Sequence, residues 1–187
     1  MRLGLVSDIH CQARALETAI DAMGRIDRLV CLGDSIHQAA FSNETVALLR
    51  AQDALTIRGN HEEAFFAGPG ARAPSVDPGL AQWLAARPDR MLCQIAGRRI
   101  LIVHSTPWMS EHAYVPPGHR DFGRFAEAEA DIILYGHTHM PVVARLDSML
   151  VVNPGSTGEG RPTDHGFIRS CAILDLESCS AEIIDLD

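Results

Sequence analysis

Apolar positions along the chain gather into short runs divided by polar, glycine-rich segments. Leu3–Ser7 is an apolar run of the kind that forms a buried strand, and Ala13 to Met23 then carries Leu16, Ile20 and Met23 at helical spacing. Leu29–Leu32 predicts a second buried strand. Thr45–Arg50 predicts the core of a short helix, with Ser42 and Asn43 as capping candidates, and Leu55–Ile57 a third strand. Strands alternating with helices predict a parallel sheet with crossover helices.

The middle is less regular. Gly68–Gly79 is rich in Gly, Pro and Ala and reads as a surface loop, although Asp77-Pro78 has the form of an N-cap followed by proline and opens a helix to Ala86. Met91–Ile95 and Arg99–Val103 flank Ala96-Gly97-Arg98, a hairpin turn. Thr106–Arg120 is a long polar loop with two adjacent prolines, and Phe122–Glu129 predicts a helix. The last third is mostly strand: Ile132–Tyr135, Val142–Leu146, Leu150–Val152, Phe167–Leu174 and Glu182–Ile184. No internal repeat, low-complexity tract or linker interrupts the chain, so residues 1–187 predict one domain. The expected architecture is α/β, two sheets packed as a sandwich with helices outside.

Composition narrows the function without naming it. A net charge of −8 argues against an extended nucleic-acid surface, which needs clustered Lys and Arg. It leaves room for a small phosphorylated substrate, because bound cations make a site locally positive inside an acidic protein. The five cysteines are odd in number and lack zinc-finger spacing, which favours a reducing, cytoplasmic setting. Cys171 and Cys179 could face each other across a hairpin; two free thiols are the simpler expectation. Asp8 comes too early for a signal peptide. No apolar run approaches the roughly 20 residues of a membrane span.

The nine histidines carry the chemical signal. Several follow strand candidates directly, beside Asp, Asn or Gly: Asp8-Ile9-His10, Gly33-Asp34, Gly59-Asn60-His61, His104-Ser105 and Gly136-His137-Thr138-His139. In extended chain, residues two apart point to one side, so Asp8 with His10, and His137 with His139, are expected to converge at strand ends. Ligands gather at that edge of an α/β sheet. Imidazoles and carboxylates without thiolates suit Zn, Mn, Fe or Ni. A single Asp-x-His is weak evidence, and a lone histidine is more often a satisfied core residue; five such pieces at strand ends are hard to produce by chance.

These blocks, in this order, resemble the calcineurin-like metallophosphoesterase superfamily, in particular its small bacterial phosphodiesterases. The resemblance covers nearly the whole chain, and Asn153-Pro154-Gly155-Ser156 matches a further family block. It implies a four-layer α/β/β/α sandwich of two mixed sheets. It also implies two divalent metal ions, manganese favoured. One would be held by Asp8, His10, Asp34 and His139, the other by Asp34, Asn60, His104 and His137, with Asp34 bridging. His61 matches the family's catalytic histidine, facing substrate as an acid or charge stabiliser while a bridging hydroxide attacks phosphorus. The chain departs from the family at Ser105, where glycine is common, at His37, and in the compact stretch from Asp34 to Asn60.

Other residues have open readings. His37 either reaches the pocket or is a solvated loop residue. Arg58 either supports the Gly-Asn-His turn or pairs with an acid. Glu62 either holds His61 or faces solvent at a helix start. Asn153 is expected to order a turn behind the metals. Trp108, His112 and His119 could wall a pocket, while Arg161 and His165 are surface residues by default. The implied activity is phosphodiester hydrolysis on small substrates. The alternatives are a phosphomonoesterase or nucleotide phosphatase, and a non-catalytic metal-binding scaffold for other proteins. A homo-oligomer is compatible with the chain, and a membrane partner is not expected.

Overall fold

The computed structural model describes residues 1–108, 112–164 and 166–186. Its strands are β1 (Arg2–Val6), β2 (Arg28–Cys31), β3 (Leu55–Thr56), β4 (Arg90–Ile95), β5 (Arg98–Val103), β6 (Ile132–Leu134), β7 (Val142–Leu146), β8 (Met149–Asn153), β9 (Arg161–Thr163), β10 (Gly166–Ile168), β11 (Ser170–Asp175) and β12 (Ser180–Asp185). Its α-helices are α1 (Ala13–Met23), α2 (Asn43–Ala51), α3 (Asn60–Ala67) and α4 (Pro78–Ala85).

Two mixed five-stranded sheets form the body, ordered β12-β11-β1-β2-β3 and β4-β5-β6-β8-β7. In the first, β1, β2 and β3 run parallel, and β11 and β12 add antiparallel edges. In the second, β5, β6 and β8 run parallel, with β4 and β7 antiparallel outside them. The α/β sandwich expected from the sequence is therefore present.

Alternation along the central strands explains the layering. Leu3, Leu5, Val30 and Leu32 face Ile100, Ile102, Ile132 and Leu134 between the sheets. The opposite faces of β1 and β2 present Val6, Leu29 and Cys31 to Leu16, Ala19 and Met23 of α1. Truncating one of these buried leucines to alanine costs about 2–5 kcal/mol in comparable cores. The outer face of the second sheet is covered by Phe125 and Val115, with Trp108 and Phe122 at its margin.

Local signals account for most element boundaries. Ser42 Oγ accepts from Thr45 N at 3.1 Å and starts α2. Asp77 accepts from Gly79 N and Leu80 N, with Pro78 opening α4. The β4–β5 hairpin closes on Ala96 (φ 48°) and Gly97 (φ 80°), a two-residue turn of mirror type, so Arg98 already belongs to β5.

Three expectations change. Phe122–Glu129 is not α-helical but a 3₁₀ segment over Phe122–Glu127. The loop at 68–79 contains a 3₁₀ turn, Pro69–Arg72. The strand expected over Phe167–Leu174 breaks at Arg169: β10 pairs with β9, which contains Pro162 and was not foreseen, and β11 joins the main sheet. Helix α3 follows Gly59 directly, so Glu62 does lie at a helix start. Cys171 pairs in register with Ile184 while Cys179 lies in the preceding turn, and both are free thiols. No helix among the described residues is long and apolar enough to cross a membrane.

Candidate metal centre

All six parallel strands deliver their carboxyl ends to one place. β1 leads to Asp8 and His10, β2 to Asp34, β3 to Asn60 and His61, β5 to His104, β6 to His137 and His139, and β8 ends on Asn153. The turns that follow are tied together: Asp8 N donates to Gly33 O at 3.1 Å, His10 N to Asp34 O at 3.0 Å and Gly136 N to His104 O at 2.9 Å.

The convergence does not arise as strand alternation predicted. Asp8 (φ 51°), His10 (φ 48°), Asp34 (φ 51°), His137 (φ 66°) and His139 (φ 57°) all adopt the left-handed conformation, past the strand ends. L-residues rarely adopt it, and such backbone clusters at functional sites. Two motif glycines are needed for close approach: a Cβ on Gly59 would collide with Asp34 Oδ1, and one on Gly136 with Ser7 Oγ.

Among the described residues, three groups of side chains stand close enough to share a cation: Asp8, His10 and His139; His10, Asp34 and His61; and Asp34, His104 and His137. His10 Nε2 and His139 Nε2 are 3.2 Å apart, and Asp8 Oδ1 lies 3.4 Å from His139 Nε2. Asp34 Oδ2 lies 3.1 Å from His104 Nε2 and 3.9 Å from His61 Nε2. Asn60 Oδ1 is 3.1 Å from His104 Nε2. The structure thus brings all seven expected ligands and His61 into one cluster.

Ring tautomers follow from fixed partners. His104 Nδ1 lies 2.8 Å from Leu32 O, an acceptor only, so it carries the proton and Nε2 faces the oxygens of Asp34 and Asn60. His137 gives Nε2–H to His112 O at 3.0 Å, which leaves Nδ1 for a cation. His61 Nδ1 accepts from Gln38 N at 3.1 Å, so its Nε2 bears the proton of the neutral ring.

Electrostatics match a cation site. Burial disfavours charge on His104, but the neighbouring Asp34 carboxylate outweighs it and pushes the imidazole up to about 10. Burial would raise Asp34 too, yet His104 and His61 hold it well below the carboxylate range. Burial and the charge of His104 lower His137 to about 4. Asp8 Oδ1 and His10 Nδ1 are buried with no hydrogen-bond partner among the described residues. A buried carboxylate oxygen with no hydrogen bond is costly unless a cation takes it up, either the protonated His139 ring 3.4 Å away or a metal ion. The donor set fits divalent ions.

The supporting residues resolve as follows. Glu62 does not face solvent: it is fully buried and accepts from Asp34 N, Ser35 N, Ile36 N, Gly59 N and Ser35 Oγ at 2.7–3.1 Å. Nor does it hold the His61 ring; it fixes the backbone of Asp34. Burial raises its pKa and Asp34 adds to that, while the hydrogen bonds from Ser35, Gly59 and Ile36 oppose the shift. Asn153 Nδ2 donates to Gly136 O and Thr138 Oγ1, and its Oδ1 accepts from Gly155 N, as expected of a residue ordering a turn. Arg58 pairs with Asp89 at 2.5 Å. The His37 ring is half-buried, 5.0 Å from that of His61, so it reaches the cluster.

Ser105 Oγ donates to Ala113 O at 2.6 Å, anchoring the loop that follows it. His112 pairs with Glu63 at 3.0 Å and lines a cavity of about 350 Å³ beside His104. Trp108 packs on Phe125 beneath Arg124, and His119 caps Asp121 N. Arg161 donates from Nη2 to both carboxylate oxygens of Asp185 at 3.0 Å. His165 lies outside the described residues. Two residues of the site were missed in the sequence. Tyr114 stacks on His137 with ring centroids 4.0 Å apart, and Glu159 stands beside His10 and His139. Only Glu159 had a signal, its place three residues after Ser156.

Residues 1–179 match the family model of the calcineurin-like phosphoesterase superfamily domain. The chain belongs to that superfamily. It is a metallophosphoesterase, a phosphoric ester hydrolase dependent on divalent metal. It is 26% identical to a probable metallophosphoesterase of Methanothermobacter thermautotrophicus, across 98% of this chain and 92% of the relative. A metallophosphoesterase from Sphaerobacter thermophilus has a similar structure, with TM-score 0.79 and 24% identity over 100% of this chain and 89% of that one. So does an archaeal phosphodiesterase, with TM-score 0.66 and 21% identity over 99% of both chains. At these identities the two structures speak to the fold.

Proposed function

We propose that this metallophosphoesterase acts as a single domain that hydrolyses small phosphodiesters at a two-metal centre. The observation that carries the reading is the presence of Asp34 in two of the three cation-sized groups among the described residues, with His10 and His61 in one and with His104 and His137 in the other. Asp8, His10, Asp34 and His139 would hold one ion, and Asp34, Asn60, His104 and His137 the other, with manganese the first choice of metal. When bound, the pair supplies a water nucleophile near neutral pH and neutralises charge on phosphoryl oxygens.

The chain's own residues do the rest. Asp34 is held rigid from behind by Glu62 and accepts His61 N at 2.9 Å, which sets its carboxylate between the two groups. His61 is not a ligand in this scheme. With Nδ1 occupied by Gln38 N–H, its Nε2–H faces the cluster and donates to a phosphoryl oxygen or to the leaving alkoxide. The small substrate approaches over the exposed face of Tyr114 and the half-buried rings of His37 and His61. The acidic chain offers no extended nucleic-acid surface, and a cytoplasmic setting suits its free thiols.

A kinetic panel of diesters, monoesters and nucleotides with manganese tests the assignment. Turnover led by diesters is expected. Turnover led by monoesters would replace the substrate class, and none with any of them would remove the enzymatic reading.

A further inference from the structure

We propose that Glu159 is a specificity-determining residue that favours singly charged phosphodiesters over doubly charged phosphomonoesters. This rests on the two-metal reading of the site and adds the source of its substrate preference.

Glu159 is held in place by design of the backbone around it. Thr157 N donates to Ser7 O at 2.9 Å and Gly158 N to Asp8 O at 3.1 Å. Ser156 Oγ donates to Asp8 O at 2.9 Å and accepts from Glu159 N at 2.9 Å. A Cβ on Gly158 would collide with Ile9 O, so the loop lies flat against the Asp8–His10 turn. The backbone of Glu159 is therefore fixed beside that turn. Oε2 lies 3.8 Å from His10 Nε2 and 3.9 Å from His139 Nδ1, beyond hydrogen-bond range, and its side chain remains half-exposed at the rim.

Charge counting gives the consequence. Two dications against Asp8, Asp34 and the hydroxide nucleophile leave about one positive charge. Glu159 offsets it on the Asp8–His10–His139 side. Its carboxylate repels each negative charge on the ester, one on a diester and nearly two on a monoester near neutral pH, so the monoester meets about one extra unit of repulsion. A unit charge about 6 Å from another through water changes binding by about threefold, more where water is excluded, and less as salt screens it.

The test uses the full chain loaded with manganese, as wild type, Glu159→Gln and Glu159→Asp. Metal content is measured first. Then kcat/KM is compared for bis(p-nitrophenyl) phosphate and p-nitrophenyl phosphate at low and high salt. Binding of inorganic phosphate at about pH 8, where it is mostly the dianion, is measured by calorimetry. Glu159→Gln is expected to keep both ions, to raise the monoester-to-diester ratio by at least about threefold at low salt, and to bind phosphate, with its two charges, about tenfold more tightly. Glu159→Asp, which keeps the charge, should stay close to wild type. An unchanged ratio with unchanged phosphate affinity overturns the proposal. So does loss of an ion, which would make Glu159 a ligand. Wild type that holds both ions yet cleaves neither ester overturns the hydrolase reading alone, and phosphate affinity still decides the role of Glu159.

Discussion

Nε2 of His104 stands 3.1 Å from Oδ2 of Asp34, and both side chains are 2% exposed. With Nδ1–H committed to Leu32 O, the Nε2 edge facing Asp34 carries either a second proton or a cation. The metal-free protein takes the proton, since His104 is pushed up to about 10. Metal loading must then expel it. Calorimetric titration of the chelator-treated protein with manganese in two buffers of different ionisation enthalpy should show release of at least about one proton near pH 7. Affinity should rise with pH toward 10, by about tenfold per unit for each proton released. Binding without proton release would mean that His104 is not a ligand.

His61 should separate catalysis from metal binding. Its Nε2 lies 3.9 Å from Asp34 Oδ2, yet the seven proposed ligands do not need it. His61→Ala is expected to lower kcat on the best diester by about 10²–10⁴-fold, the usual range for a general acid, while both ions stay bound. Loss of an ion would reassign the residue, and undiminished kcat would remove its catalytic role.

Glu62 should prove the most costly of the supporting residues. Glu62→Ala would strand four buried backbone N–H groups, those of Asp34, Ser35, Ile36 and Gly59. Each orphaned donor costs about 1–3 kcal/mol, so urea denaturation should show a loss of at least about 3 kcal/mol. Glu62→Gln retains one acceptor oxygen and should fall between. A loss under about 1 kcal/mol for the alanine variant would contradict this role.

Asn153 acts one layer behind the centre. Asn153→Asp keeps the oxygen that accepts from Gly155 N but loses the donor to Gly136 O and Thr138 Oγ1. Thermal denaturation should show a loss of about 1–3 kcal/mol, with weaker metal retention on the His137–His139 turn. A variant as stable as wild type would show that the turn orders itself.

How far the sequence could be read depended on whether the information was local. The apolar runs of β1, β2 and β6 and the caps Ser42 and Asp77 are local signals, and their elements stand within a residue or two of expectation. The site was legible for a related reason: each proposed ligand lies in a short motif a few residues past a strand end. The geometric argument for it was not right, because Asp8, His10, His137 and His139 leave extended backbone before their side chains converge. The burial of Glu62 and the reach of Glu159 into the site were beyond local reading. Glu62 is buried because four donors from two separate turns point at it, and Glu159 reaches the site only through hydrogen bonds to a segment some 150 residues earlier. The break at Arg169 is tertiary as well: Ser170 Oγ is drawn to Pro154 O at 2.7 Å, separating β11 from β10.

The central claim is that Asp34 joins two ions in one centre. Elemental analysis of manganese-reconstituted wild type and Asp34→Asn tests it most directly. The account predicts about two ions per wild-type chain and loss of both from Asp34→Asn, whose neutral amide removes half of the ligand charge supplied by Asp8 and Asp34. Two ions fully retained by Asp34→Asn, or a single ion in the wild type, would contradict it.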